Sequence, residues 1–156
     1  MQRSLVGSEM CIRDSYKAIP ELRKKCSDRA ILRSAHFFSE NERAGLEAAA
    51  LSKGSFDEFL SLVKESGDSS AKWLQNLYSC SKPQEQGIPL ALLISEKILK
   101  DKGAVRVHGG GFAGTIQAFV PLSKCCDYEN AMNELFGDKS CYRLKIRNFG
   151  GINIAE

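Results

Sequence analysis

The sequence predicts an α+β domain in which helices pack on one face of a small antiparallel sheet. Three observations predict it. Apolar residues recur at helical spacing from about residue 27 to residue 102. After Gly103 the period drops from about 3.6 to 2. A glycine-rich bend, RVHGGGFAGTIQAFVP at 106–121, then joins two runs of the shorter period. The length, 156 residues, suits one domain with its own core. Apolar residues make up 43% and charged residues 26%, a globular balance. The net charge of +3 is too small to point to nucleic acid or an anionic membrane. No apolar run approaches the roughly 20 residues of a membrane span.

The elements follow in order. The first fifteen residues, MQRSLVGSEMCIRDS, show no helical or strand period and no signal-peptide core. They resemble the translation of an adaptor or vector junction, so residues 1–15 are set aside as a non-native segment and 16–156 as the domain. On that reading the natural protein extends upstream. Residues 27–52 predict a long helix capped by Ser27 and Asp28. Ile31, Ala35, Phe38, Leu46 and Ala49 lie near one face, and Arg29, Arg33, Glu40, Arg43 and Glu47 on the other. Gly54 stops it. Ser55 and Glu58 have capping-box spacing for a second helix. Its stripe is Phe56, Phe59, Leu60 and Val63, and Gly67 ends it. A helical turn carries Trp73, Leu74, Leu77 and Tyr78. The prolines and glycine of SCSKPQEQGIP break the chain. IPLALLISEKILKDKG predicts a buried helix with lysines in its last turn.

Beyond Gly103, Val105 and Val107 alternate with Arg106 and His108. Past the glycines, Ile116, Ala118 and Val120 alternate with Thr115, Gln117 and Phe119, so the two runs form a hairpin. Tyr128, Ala131, Met132 and Leu135 mark a helix ended by Gly137. Tyr142, Leu144 and Ile146 alternate with Arg143, Lys145 and Arg147 as a strand, and Ile152 to Ile154 form an edge strand. Helices followed by α-β-β-α-β give a ferredoxin-like layer.

The glycine run carries the functional question. Gly109-x-Gly111-x-x-Gly114 matches a dinucleotide fingerprint in letters only, because a strand follows where that fingerprint needs a helix. A protein-kinase glycine loop lacks its downstream motifs here. An RNA-recognition strand lacks its second aromatic, Gly114 and Thr115 standing in its place. Two readings stay open. The glycines either allow positive φ in a bend, or leave bare backbone for another backbone or a polyanion to approach. His108 orients the turn or contacts a ligand. The six cysteines form no Cys-x-x-Cys pair, and with only two histidines the sequence points to no zinc site. The thiols read as reduced and cytoplasmic. Cys125 and Cys126 read as packing at a helix start. Glu40, Glu85 and Asp127 are explained by helix surfaces or caps rather than by catalysis.

AVRVHGGGFAGTIQAFVP resembles the third conserved motif of galactokinases, within the GHMP family of small-molecule kinases. RAILRSAHFFSENERAGLEAAAL resembles the long helix opening that family's C-terminal domain. PQEQGIPLALLISEKIL resembles the helix before the motif, and YRLKIRNFGGINI the terminal strands. The resemblance covers roughly residues 17–156 and implies a ferredoxin-like GHMP-kinase C-terminal domain. It implies an ATP-dependent transfer of phosphate to galactose, giving galactose 1-phosphate. It assigns Gly109, Gly110, Gly111, Phe112, Ala113 and Gly114 to a loop beside the phosphate loop of an N-terminal half. Ala113 departs from the glycine of many relatives by one methyl group. The sugar signature, the phosphate loop and the catalytic residues match no stretch here, so no catalytic residue and no metal ligand are assigned to this chain. The implied partners are galactose, ATP and the N-terminal half, with Mg2+ bound mainly by that half, and neither nucleic acid nor membrane. The fragment alone is expected to be inactive. The alternative is a free-standing ferredoxin-like module for a small ligand or RNA.

Overall fold

The computed structural model describes residues 12–112 and 114–145. The fold is α+β. Its elements are α1 (Ile12–Leu22), α2 (Asp28–Ser52), α3 (Phe56–Ser69), α4 (Gly87–Leu99), β1 (Ala104–Val107), β2 (Ile116–Phe119) and α5 (Cys125–Phe136). The chain divides into two compact units, at Pro121/Leu122. Among the described residues no helix is long and apolar enough to cross a membrane.

In the first unit, α1 runs across position 15, where the sequence showed no helical period. Helix α2 starts as expected: the Ser27 side chain accepts the Ala30 N–H, satisfying one of the free donors of the first turn. It ends at Lys53, and Gly54 follows with φ 71°. Helix α3 lacks the expected capping box, since Ser55 makes no side-chain cap. Nor does Gly67 end it. The helix continues through Gly67 to Ser69 and into a π-helical turn, Ser70–Leu74. Gly67 has a different task. A Cβ there would stand 3.3 Å from both the Arg106 Cβ and the Val105 carbonyl, so glycine lets α3 lie close on β1.

Strands β1 and β2 pair antiparallel, with Ala104 opposite Phe119, Val105 opposite Ala118, Arg106 opposite Gln117 and Val107 opposite Ile116. The hairpin is the one the period predicted. The apolar core gathers Phe59, Leu60, Leu62 and Val63 of α3 with Ala50 of α2 and Ala104 of β1. Phe119 packs on it edge-to-face against Phe59, ring centroids 5.0 Å apart. Val105 and Val107, on the other face of β1, are buried as well. Helix α4 packs against both strands. It is not buried all round as its composition predicted: Ile88, Ala91, Ser95 and Leu99 are buried, while Leu90 and Leu93 are exposed.

Helix α2 reverses its expected orientation. Most of the predicted apolar face is outward, with Phe38 45% and Leu46 54% exposed, Ala49 exposed, and Ile31 and Ala35 half-buried; Phe37 is exposed too, on the flank away from Leu46. The face that packs inward holds His36, Glu40, Arg43 and Glu47, partly or fully buried, with Ala50. Glu40 is therefore no helix-surface residue. The reason lies across the interface. Arg43, the Ser66 hydroxyl of α3 and Arg106 of β1 all meet the Glu40 carboxylate, and His36 Nδ1 lies 2.8 Å from the Ser69 hydroxyl. His36 and Glu40 thus find partners on α3 and β1 that their own helix could not reveal, while Glu47 makes no hydrogen bond or ion pair among the described residues.

In the second unit, Tyr128 and Met132 of α5 are buried, and Gly137, at φ 96°, closes the helix. Cys125 and Cys126 stand at its first positions. The strand expected at 142–147 does not form over its described part. Residues 141–145 have no regular structure, and Tyr142 and Leu144, expected to face inward, are 75% and 90% exposed. Their neighbour Arg143 reaches back to α5 instead, bonding Glu129 at 2.6 Å and the Cys126 sulfur at 3.6 Å. Those two acceptors hold its pKa above the ordinary arginine value. Ile146, Arg147 and Ile152–Ile154 lie outside the described residues.

Candidate functional site

The glycine loop spans the mouth of the β1–β2 hairpin. His108 donates its N–H to the Thr115 carbonyl at 3.0 Å and accepts from Gly111 N–H at 3.4 Å. The exposed His108 therefore closes the loop through its main chain. Positive φ is needed at Gly109, Gly111, Phe112 and Gly114 (58°, 70°, 44° and 84°). The bend reading holds at these positions, and at Gly111 the close approach of another backbone holds as well.

Gly111 is the site of close approach, and the approaching backbone belongs to the same chain. A Cβ at 111 would lie 2.1 Å from the Asn76 carbonyl oxygen, nearer than atoms can come. The next residue seals the contact: Phe112 N–H donates to that carbonyl at 3.1 Å. Gly109, Gly110 and Gly114 differ. A Cβ at any of them would meet nothing within 4 Å. The Gly111 and Phe112 amides are thus taken by the protein, whereas Gly109, Gly110 and Gly114 make no main-chain hydrogen bond among the described residues. The loop has an inner edge that is pinned and an outer edge of bare backbone. Ala113 lies outside the described residues.

Beside the outer edge is a cavity of about 210 Å3. Phe112 and Gly114 of the loop line it together with Tyr78, Ser79, Lys82 and Ile88. Lys82 is paired with Glu85 at 3.0 Å on the surface. A larger groove of about 510 Å3 runs between α3, α4 and β1, past Asp68, Leu93, Glu96 and Arg106.

Of the residues the sequence singled out, Gly109, Gly110, Gly111, Phe112 and Gly114 come together here. Asp127 stands exposed in the first turn of α5, and Glu85 lies outside any helix, before α4. Sequence reasoning missed Asn76. It sits between Leu74 and Leu77, where a helical stripe would turn it to solvent. Instead Gln75 takes a left-handed conformation, φ 58°, after the π-helical turn, and Asn76 swings in to 1% exposure. Gln75 carries no mark of that bend, being neither Gly nor Asn.

A second polar site lies along the α2–α3–β1 seam already described. Burial lowers the His36 pKa; Glu40 opposes that shift, and Arg106 and Arg43 reinforce it. Burial raises the Glu47 carboxyl, with Arg106 pulling the other way. His36, Glu40, Arg43 and Arg106 of the seam are hydrogen-bonded within the protein, and of these four only Arg106 lines a cavity, so the seam reads as architecture.

No protein-family model matches the chain.

Proposed function

We propose that this chain is the C-terminal part of a galactokinase-type sugar kinase of the GHMP family, with a ferredoxin-like domain working in the cytoplasm. The observation that carries the reading is the outer edge of the glycine loop. Gly109, Gly110 and Gly114 offer main chain with no side chain over it and with unclaimed hydrogen-bonding groups. That edge fits a polyanion: successive backbone N–H groups attract phosphate oxygens, and only glycine lets a triphosphate or its binding loop come so near. The inner edge holds the loop in place, which phosphoryl transfer requires, since its catalysis rests on positioning and charge stabilisation.

The exposed apolar face of α2 supports the same reading. Phe38 and Leu46, both exposed on its outer side, are a surface of the kind that marks a docking site, and an N-terminal half is the partner proposed for it. In this assignment ATP gives its γ-phosphoryl to the 1-hydroxyl of galactose. Mg2+ travels with the nucleotide, its ligands coming from the other half. Gly109, Gly110, Gly111, Phe112, Ala113 and Gly114 steady the nucleotide cradle, and no catalytic base comes from this chain.

The test is reconstitution. The chain alone should phosphorylate no galactose, and mixing it with a galactokinase N-terminal half should produce MgATP-dependent galactose 1-phosphate. Turnover by the chain alone, or none after a stable complex forms, would sink the reading. Salt-dependent RNA binding by the isolated chain would favour the alternative module.

A further inference from the structure

Asn76 is the residue the kinase reading leaves unused. Both polar atoms of its carboxamide, Oδ1 and Nδ2, are buried and have no hydrogen-bond partner among the described residues. Such a group is costly to bury, and an apolar side chain of similar shape would avoid the cost. Its surroundings are irregular in a way that favours one geometry. The π-helical turn Ser70–Leu74 and left-handed Gln75 deliver it to the inner edge of the glycine loop. There it makes two contacts at once. Its carbonyl holds Phe112 N–H, and its carboxamide fills the space that a side chain at 111 would need, Cγ and Nδ2 both 2.8 Å from that Cβ position.

We infer that Asn76 is the positioning residue of the glycine loop, and that its carboxamide bonds the loop main chain in a second loop conformation. In the conformation described here the carboxamide is unpaired, which raises the energy of the pinned state. A small shift of the loop would bring peptide groups to Oδ1 and Nδ2 and return the lost hydrogen bonds. Glycines at 109, 110, 111 and 114 leave the main chain free to make that shift. The two states differ only in hydrogen bonds and backbone angles. Asn76 then sets how often the outer edge changes position. The link from this change to phosphate binding rests on the kinase reading.

The experiment uses this chain labelled with 15N. Relaxation dispersion should show microsecond-to-millisecond exchange at the amides of Gly109, Gly110, Gly111 and Gly114. Asn76→Leu should reduce that exchange several-fold while raising the urea midpoint. Asn76→Ala, smaller than its site, gives the same dispersion readout if leucine does not fit. Loop amides without exchange in the wild type, or equal exchange in a folded variant, overturn the inference. Titration with inorganic triphosphate and Mg2+ answers separately for the kinase reading. Shifts at Gly109, Gly110 and Gly114 are expected; their absence counts against that reading and leaves the dispersion result to decide on Asn76.

Discussion

Helices α2 and α3 pack against each other yet turn opposite kinds of surface inward. Helix α3 buries Phe59, Leu60, Leu62 and Val63, and its charged residues Asp57, Glu58 and Lys64 face out. Helix α2 turns in His36, Glu40, Arg43 and Glu47 and leaves Phe37, Phe38 and Leu46 exposed. Burying charge is unfavourable unless each charge is paired and hydrogen-bonded. The seam meets that condition at Glu40 through Arg106 and Ser66; among the described residues Arg33 Nε and the half-buried Glu47 carboxylate are without a hydrogen-bond partner. The difference teaches that α3 builds the core of this unit, while α2 joins its layers and keeps its apolar face for something else.

The comparison can be broken most sharply at two phenylalanines. Phe59→Ala removes a ring at 5% exposure from the core and should cost about 3 kcal/mol. Phe38→Ala, on the outer face of α2, should change stability by no more than about 0.5 kcal/mol. Urea unfolding of the two variants measures both. Equal losses would mean that α2 buries its apolar face after all. Reduced self-association of Phe38→Ala at high concentration would sharpen the case for a docking surface.

A middle-sized effect is expected at the seam. Glu40→Gln keeps the shape and the Ser66 contact but leaves Arg106 without its carboxylate and Arg43 with only the longer pair to Glu65 at 3.8 Å. Glu40 and Arg106 side chains are each 23% exposed, so the cost should fall below that of a fully buried pair, at about 2 kcal/mol. Adding Arg106→Met should recover part of it, because no stranded charge then remains at that position. A loss near zero in urea unfolding would show that solvent, rather than the pairing, stabilises these charges.

How much of this was legible in the sequence depends on where each signal sits. The hairpin and the apolar stripe of α3 were legible because hydrophobic period is a local signal. Helix α2 was located correctly and oriented wrongly: its apolar period was real, but the partners that draw its polar face inward lie on other elements, Arg106 being 66 residues from Glu40. Gly67 looked like a stop because the sequence does not show the strand that needs its missing side chain. The alternation at 142–145 fits a strand equally well, yet Arg143 bonds to α5 instead. In the glycine loop the sequence located the bend and its bare backbone. It could not separate the pinned edge from the open one, because the pinning residue, Asn76, is delivered by a bend at Gln75 that has no sequence signature.

The smallest expected effect is a pH dependence, and its sign separates the seam from the core, which has no titrating group. His36 is buried beside Ser69, with Glu40 favouring its charged form and Arg106 and Arg43 opposing it. Burial prevails, so the folded ring takes a proton less readily than the unfolded one, whose pKa is about 6.5. The stability His36 contributes is present above that value and is lost as pH falls through it toward the lower folded value. Glu47 acts with the opposite sign. Its raised pKa adds stability below the ordinary carboxylate value and loses it as pH rises through the folded one. Between pH 8 and 6 the unfolding free energy should therefore decline with acid through His36, and His36→Asn should flatten that slope. Glu40→Gln should steepen it, since it removes the carboxylate that favours the protonated ring. A wild-type profile that rises toward acid over this range would show that the imidazole is stabilised in its charged form, and that the inner face of α2 behaves as a solvated surface.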